Sequence, residues 1–432
     1  MIRVFDLPRP ETITRVALPN GIVILVYENF EVESVVLSGS LEGGSIFETP
    51  AQNGLSALTA AALMRGTQTR DFDTLHGTLE ELGADLSVGA GQHSIGFGGK
   101  ALAEDLVVLV ELLNDVLRSP TFPADAIEKL KAQRLTELKY SQTDTRYRVG
   151  LAFREALYPA THPYHYGITG TPETLGPLTA DDLRAFHQQN YGPRGMIICI
   201  VGAVKARDAV AIVERFLADW QNPDQPTPPL LPALEAPHAQ RRRYTPISGK
   251  TQASILMGTL GPSRTAPDYH AATLANSILG EFGMMGRIGS VIREQMGLAY
   301  YAYSRMEGGL GPGTWTMAAG VAPENVSIAV EATVEQVRRL LREPVSLDDL
   351  QDNQSYFTGR LPLRLENSTG IAGALQMIER YDLGLDYLAR YQDAINRLTT
   401  DDLLHAAQRH LDPERFIIAA AGPASGHPDG WE

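Results

Sequence analysis

The stretch Leu178-Thr-Ala-Asp-Asp-Leu183 returns 220 positions later as Leu398-Thr-Thr-Asp-Asp-Leu403. Each copy reads as a helix start. Each then leads through Tyr191-Gly-Pro-Arg194 or Leu411-Asp-Pro-Glu-Arg415 to an apolar strand ending at Gly202 or Gly422. A second match pairs Glu80-Glu-Leu-Gly-Ala84 with Glu294-Gln-Met-Gly-Leu298. A third pairs two amphipathic helices: one from Glu104, with Leu106, Leu109, Val110, Leu113 and Leu117 on one face, the other from Glu324, with Val326, Val330, Thr333, Val337 and Leu340. Three matches in the same order predict a duplicated domain.

Between the copies lies Gln221-Asn-Pro-Asp-Gln-Pro-Thr-Pro-Pro-Leu-Leu-Pro232, proline-rich and without periodicity, which reads as a stiff, ordered linker over 221–247. Residues 1–220 and 248–432 are then the two domains. In each, strands and helices come in blocks and do not alternate one for one. The expected class is therefore α+β, each domain an antiparallel sheet covered on one face by helices.

Composition narrows the function. The 432 residues carry a net charge of −14, and the only basic run, Arg241-Arg242-Arg243, is too short to neutralise a nucleic-acid backbone. Cys199, the single cysteine, sits in an apolar strand and reads as core packing, and one cysteine excludes an internal disulfide. The N-terminal Met1–Pro10 has no apolar signal core, and no later run is long enough to span a bilayer, so the expectation is a cytoplasmic protein without membrane contact. Gly280, Gly283, Gly286 and Gly289, like Gly96-Phe-Gly-Gly-Lys100, miss the spacing of nucleotide-binding loops, and no Gly-x-Ser-x-Gly elbow is present.

One polar pair stands out, in Ile288-Gly-Ser-Val-Ile-Arg-Glu-Gln-Met-Gly-Leu-Ala-Tyr-Tyr-Ala-Tyr-Ser304. The first half reads as the end of a helix that buries Ile288, Val291 and Ile292 and stops at Gly297 in a left-handed cap. The second half has the two-residue period of a strand. Arg293 and Tyr300 flank that turn, where a guanidinium fork and a phenol can hold a peptide carbonyl or a developing oxyanion. On these residues alone, an Arg favoured by a helix C-terminus and a Tyr packed in a sheet are the preferred reading.

The stretch Gly43-Gly-Ser-Ile-Phe-Glu48, continued by Gly54-Leu55 and ending Leu63-Met-Arg-Gly-Thr67, resembles the N-terminal signature of the pitrilysin/insulinase-type zinc peptidases, which include the mitochondrial processing peptidases. There a G-S-x-x-E segment precedes a helix bearing His-x-x-Glu-His, whose histidines hold zinc and whose glutamate activates its water. Those positions fall here on Ala57, Ala60 and Ala61. The third zinc ligand of the family falls at or near Glu137, which reads as a solvated helix glutamate. His162 and His165 match a family loop that carries no metal and read as structural. The resemblance continues through Arg293, Glu294, Gly297, Leu298, Ala299 and Tyr300, which match R-E-x-x-G-L-A-Y. In that family this Arg and Tyr contact substrate from the second domain.

The resemblance implies a non-metal, substrate-binding subunit, with no cofactor of its own, paired with a homologous zinc-binding subunit around unfolded peptides. Alone, such a chain is expected to show no activity and to form, if anything, a homodimer. The alternatives it leaves are a non-catalytic structural homologue, like the core subunits of the respiratory bc1 complex, and a peptide carrier for a peptide-derived cofactor.

Overall fold

The computed structural model describes residues 7–432; Met1–Asp6, part of the segment read for a signal core, lies outside them. Mixed helices and sheets form two compact units, each built on one sheet. The first sheet holds β1 (Ile13–Ala17), β2 (Val23–Glu28), β3 (Ser34–Glu42), β4 (Asp85–Ala90), β5 (Ser94–Leu102) and β6 (Ile197–Gly202) in the order β1-β2-β6-β3-β5-β4. The second holds β7 (Arg241–Pro246), β8 (Ala253–Gly261), β9 (Ala299–Glu307), β10 (Gly313–Val321) and β11 (Ile417–Gly422) in the order β7-β11-β8-β10-β9. Neither sheet is wholly antiparallel, as β2 runs parallel to β6 and β7 to β11. The late strands β6 and β11 occupy interior positions and are buried along their whole length. That explains their uninterrupted apolar runs, since an interior strand covered on both faces has no solvent side on which to place polar residues.

The repeated Leu-Thr-x-Asp-Asp-Leu segments earn their spelling at helix N-termini. Thr179 caps the Ala180–Asn190 helix: its Oγ1 accepts from the Asp182 N–H at 3.3 Å, while Asp182 Oδ2 accepts from the Thr179 N–H at 2.8 Å. Thr399 and Asp402 do the same for Thr400–His410, at 3.2 and 2.8 Å. Two otherwise orphaned backbone donors are satisfied each time, an arrangement whose loss costs about 1 kcal/mol.

The expected helical layer is present in each unit. Val35, Leu37 and Leu41 of β3 share a core with Leu55, Leu58, Leu109 and Leu113. Ile255 and Met257 of β8 share another with Leu274, Ile278, Val330 and Val337. The opposite face of each sheet is covered by a helix from the other half of the chain. In the first unit this is Ser368–Arg380, whose Gln376 accepts from Ser38 Oγ at 2.9 Å and whose Arg380 donates to Ser94 Oγ at 2.6 Å. Glu379 closes an ion pair with Arg15 at 2.7 Å. In the second it is Thr145–Leu157, where Thr145 and Ser254 hydroxyls meet at 2.8 Å.

The compact units are consequently interleaved in sequence. One comprises the chain through Leu138, Tyr166–Leu231 and Leu361–Ala389; the other comprises Lys139–His165, Pro232–Arg360 and Arg390 onward. The range 1–220 holds every strand of the first sheet and 248–432 every strand of the second but β7, while each compact unit also takes in a helix from the other range. Both exchanged helices start on side-chain caps, Asp144 accepting from the Tyr147 N–H and Asn367 from the Gly370 N–H, each at 2.8 Å.

The proline-rich segment is ordered where it passes the first unit. Gln225 is buried, and its amide both accepts from the Arg194 N–H at 3.1 Å and donates to the Arg194 carbonyl at 3.0 Å. The end of the expected linker is already sheet: Arg241–Pro246 forms β7 with Tyr244 buried, the alternation by which an edge strand keeps one face on the core. Cys199 is fully buried in β6, and burial pushes its thiol pKa up. No helix among the described residues is long and apolar enough to cross a membrane.

Candidate functional site

In the second unit the Phe282–Ile288 helix widens into a π-helical stretch, Gly289–Gln295. Ile288 and Ile292 are fully buried and Val291 packs beside them, which fixes the inward face and leaves Arg293 half-buried on the flank. The turn ends as its sequence requires. Gly297 takes φ +64°, a conformation that costs a side-chain-bearing residue about 1–2 kcal/mol, and the Leu298 N–H closes onto the Ile292 carbonyl at 2.9 Å. β9 begins two residues later.

β9 is an edge strand, hydrogen-bonded among the described strands only to β10. In its register Ala299 faces Val321 and Tyr301 faces Gly320, so Tyr300 is the extra residue of a β-bulge. Bulges of this kind re-aim a side chain and recur beside active sites. Tyr300 is 79% exposed. Among the described residues neither its side chain nor that of Arg293 makes a hydrogen bond or ion pair. The two polar groups picked from the sequence thus sit on either side of one turn, both uncommitted, next to a free strand edge.

The neighbouring Tyr301 faces the other way and was not singled out in the sequence. Its ring lies against Gly320, where an added Cβ would meet it at 2.4 Å, and under the Arg146 guanidinium, 4.5 Å from the ring centre. Its hydroxyl donates to Ser254 Oγ at 3.4 Å. Only the folded chain brings Arg146, from the exchanged helix, to this strand.

In the first unit Ala57, Ala60 and Ala61 lie on one face of the Leu55–Ala62 helix, Ala60 fully buried and the other two half-buried. Methyl groups carry no lone pair, so these positions do not fit a zinc ion. Among the described residues no three His, Cys, Asp or Glu side chains converge to hold a metal. Glu137, on the Ala124–Ser141 helix, accepts from Gln133 at 3.0 Å and Arg134 at 2.9 Å, which hold its carboxyl below its ordinary pKa. In the second unit His162 is buried, its Nδ1 accepting from the Tyr164 N–H at 3.1 Å, and burial lowers its pKa. His165 Nδ1 lies 2.8 Å from the Tyr158 carbonyl. Both imidazoles are engaged by backbone groups.

Glu48, last residue of the G-S-x-x-E segment, closes the N-terminus of the alanine-bearing helix. It accepts from the backbone N–H groups of Ser56 at 2.6 Å and Gly54 at 3.0 Å, and from the Asn53 amide at 3.4 Å. Burial outweighs these donors and pushes its pKa up to about 7. The folded protein therefore holds a proton that the unfolded chain releases near its ordinary value. Stability should fall by about 2–3 kcal/mol as pH rises from about 4.5 to about 7, then level off. Urea unfolding across that range should show this slope, and Glu48→Gln should remove it; equal slopes in the two proteins would exclude Glu48 as its source.

Comparison with known proteins places this arrangement. Residues 25–162 match the model of the insulinase (M16) peptidase family, and residues 177–356 match the model described as the peptidase M16 inactive domain. Among curated relatives, a zinc protease of Bacillus subtilis is 24% identical over 96% of this chain and its own full length. The β subunit of the mitochondrial processing peptidase of Saccharomyces cerevisiae is 21% identical over 95% of this chain and 91% of its own. Among solved structures, a peptidase M16 inactive domain from Pseudomonas fluorescens superimposes with a TM-score of 0.88 at 26% identity, covering 95% of this chain and 98% of that one. A protease from Helicobacter pylori shares the fold, with a TM-score of 0.89 at 18% identity, covering 96% and 100%. The sheet architecture and these matches agree: the chain belongs to the insulinase-type M16 peptidase family.

Proposed function

We propose that this chain is the non-metal, substrate-binding subunit of a heterodimeric zinc peptidase that cleaves unfolded peptides. The observation that carries the reading is the contrast between its two motifs. The helix that would hold zinc presents alanine at positions 57, 60 and 61, whereas Arg293 and Tyr300 stand uncommitted beside an open strand edge. An extended peptide adds to such an edge through backbone hydrogen bonds, which tolerates varied sequence. Arg293 then grips a peptide carbonyl and Tyr300 donates its phenol proton to oxygen as negative charge develops there. Zinc and its activated water belong to a homologous partner that carries His-x-x-Glu-His. The relative named as a processing-peptidase β subunit supports a family habit of pairing.

The second reading, a structural or peptide-binding homologue without a part in catalysis, is favoured by the solved neighbour described as an inactive domain. Mixing decides between them. The purified chain alone should hold no stoichiometric zinc and hydrolyse no peptide; with a His-x-x-Glu-His homologue it should form a complex that does. Stable assembly whose peptide hydrolysis does not exceed that of the zinc subunit alone would favour the scaffold. About one zinc per isolated chain would overturn the assignment.

A further inference from the structure

Away from both motifs, the first unit contains a cavity of about 480 Å³ that the proposed function does not use. It lies between the end of the Leu106–Arg118 helix, the Ser119–Phe122 turn, the Ala180–Asn190 helix and residues 220–222. The size falls in the range of small-molecule sites. Its lining includes two guanidiniums, Arg118 and Arg184, and no Asp or Glu. The cavity thus has two cations on its wall, each paired with a carboxylate, Asp219 or Asp181, that does not line it.

Arg118 is pre-set for such a ligand. Its Nη1 donates to Asp219 at 2.7 Å, the Phe216 carbonyl at 3.1 Å and Asn114 at 3.2 Å, while its plane lies 6.0 Å from the Trp220 ring centre. These contacts hold the group without using its Nε and Nη2, which make no hydrogen bond among the described residues. That edge is the one that takes a carboxylate through two parallel bonds. The carboxylate of Asp219 is 76% exposed and does not line the cavity, so solvent screens it from the interior. Arg184 is anchored by Asp181 and by the Thr121 carbonyl at 3.3 Å, with its Nε unused.

Two further features fit a binding site. The side-chain amides of Gln68, Gln188 and Gln221 are exposed and line the cavity, where solvent or a polar ligand can meet them. Phe122, fully buried on the wall, is held at φ +49°, a strained conformation for a residue with a bulky side chain. Strain of this kind concentrates at ligand clamps, where the surrounding structure over-determines it.

We propose that this cavity binds a small organic anion bearing a carboxylate, gripped side-on by Arg118, with Arg184 as the second cation. The site needs neither zinc nor a partner subunit, so its test is separate from that of the peptidase reading. The probe is glutarate, titrated calorimetrically into the full chain at about 0.1 M salt, with its uncharged diamide and inorganic phosphate as controls. Glutarate should bind saturably with Kd at or below ~1 mM, its diamide at least about tenfold more weakly, and phosphate should compete for the same guanidinium edge. Arg118→Gln and Arg184→Gln should each weaken glutarate about tenfold or more. Arg184 is the more exposed of the two, so its variant stays folded and decides the matter if loss of Arg118 destabilises the unit. Failure of glutarate to bind at about 10 mM, equal binding by the diamide, or binding unchanged in the folded variants would each overturn the site.

Discussion

Tyr300→Phe, assayed in complex with a zinc-carrying homologue, should lower peptide turnover about 10²–10³-fold, equivalent to roughly 3–4 kcal/mol of transition-state stabilisation. The structure makes this a clean experiment. The ring is 79% exposed and sits on the unpaired residue of a bulge, so removing one oxygen breaks no bond within the chain. Stability should change by less than about 0.5 kcal/mol, with zinc content and complex formation unaltered. Arg293→Ala should act more broadly, raising KM as well as lowering kcat, because a fork that grips the peptide backbone contributes to binding in both ground and transition states. Turnover within about threefold of wild type for both variants would leave the pair with a structural role only.

The second large effect concerns the exchanged helices. A fragment ending at Leu231 contains every strand of the first sheet but lacks Ser368–Arg380. Ile371, Leu375 and Ile378 are buried on that helix, and burial of such side chains contributes about 1.5–3 kcal/mol each. Their loss, together with the exposure of Leu25, Val36, Cys199 and Val201 beneath, removes a large share of the 5–15 kcal/mol that typically holds a domain folded. The fragment should lack a cooperative thermal transition and bind hydrophobic dyes, and a peptide of residues 361–389 supplied in trans should restore the transition. A fragment that melts cooperatively within about 5 °C of the intact chain would show that the helix is dispensable.

Much of this was legible in the sequence, and for local reasons. The Gly297 turn followed from glycine's tolerance of positive φ, and the two Thr-x-x-Asp helix starts from side chains that bond their own backbone. The apolar spelling of Ile197–Val201 marked a strand with Cys199 in the core, although its burial on both faces and its parallel pairing with β2 were not visible in that run. What stayed hidden depends on partners distant in sequence. The stripe on Ser368–Arg380 declares that the helix is buried but not on which sheet, and the Arg146 contact to Tyr301 spans the same kind of exchange. The bulge at Tyr300 likewise depends on the register set by β10, which no feature of β9 alone specifies. The resemblance marked Tyr300 as a candidate, and the register shows how it is presented.

The exchange also imposes an order in time. During synthesis the first sheet has all its strands once Gly202 emerges, yet the helix that covers its second face is not made until Arg380. At about 5–20 residues per second, an apolar sheet face waits on the order of ten seconds for its cover. The Thr145–Leu157 helix waits too, finished long before β8 and β11 exist to receive it. The nascent chain therefore cannot complete its first domain before beginning its second, and throughout that interval chaperones would compete with aggregation for the exposed face.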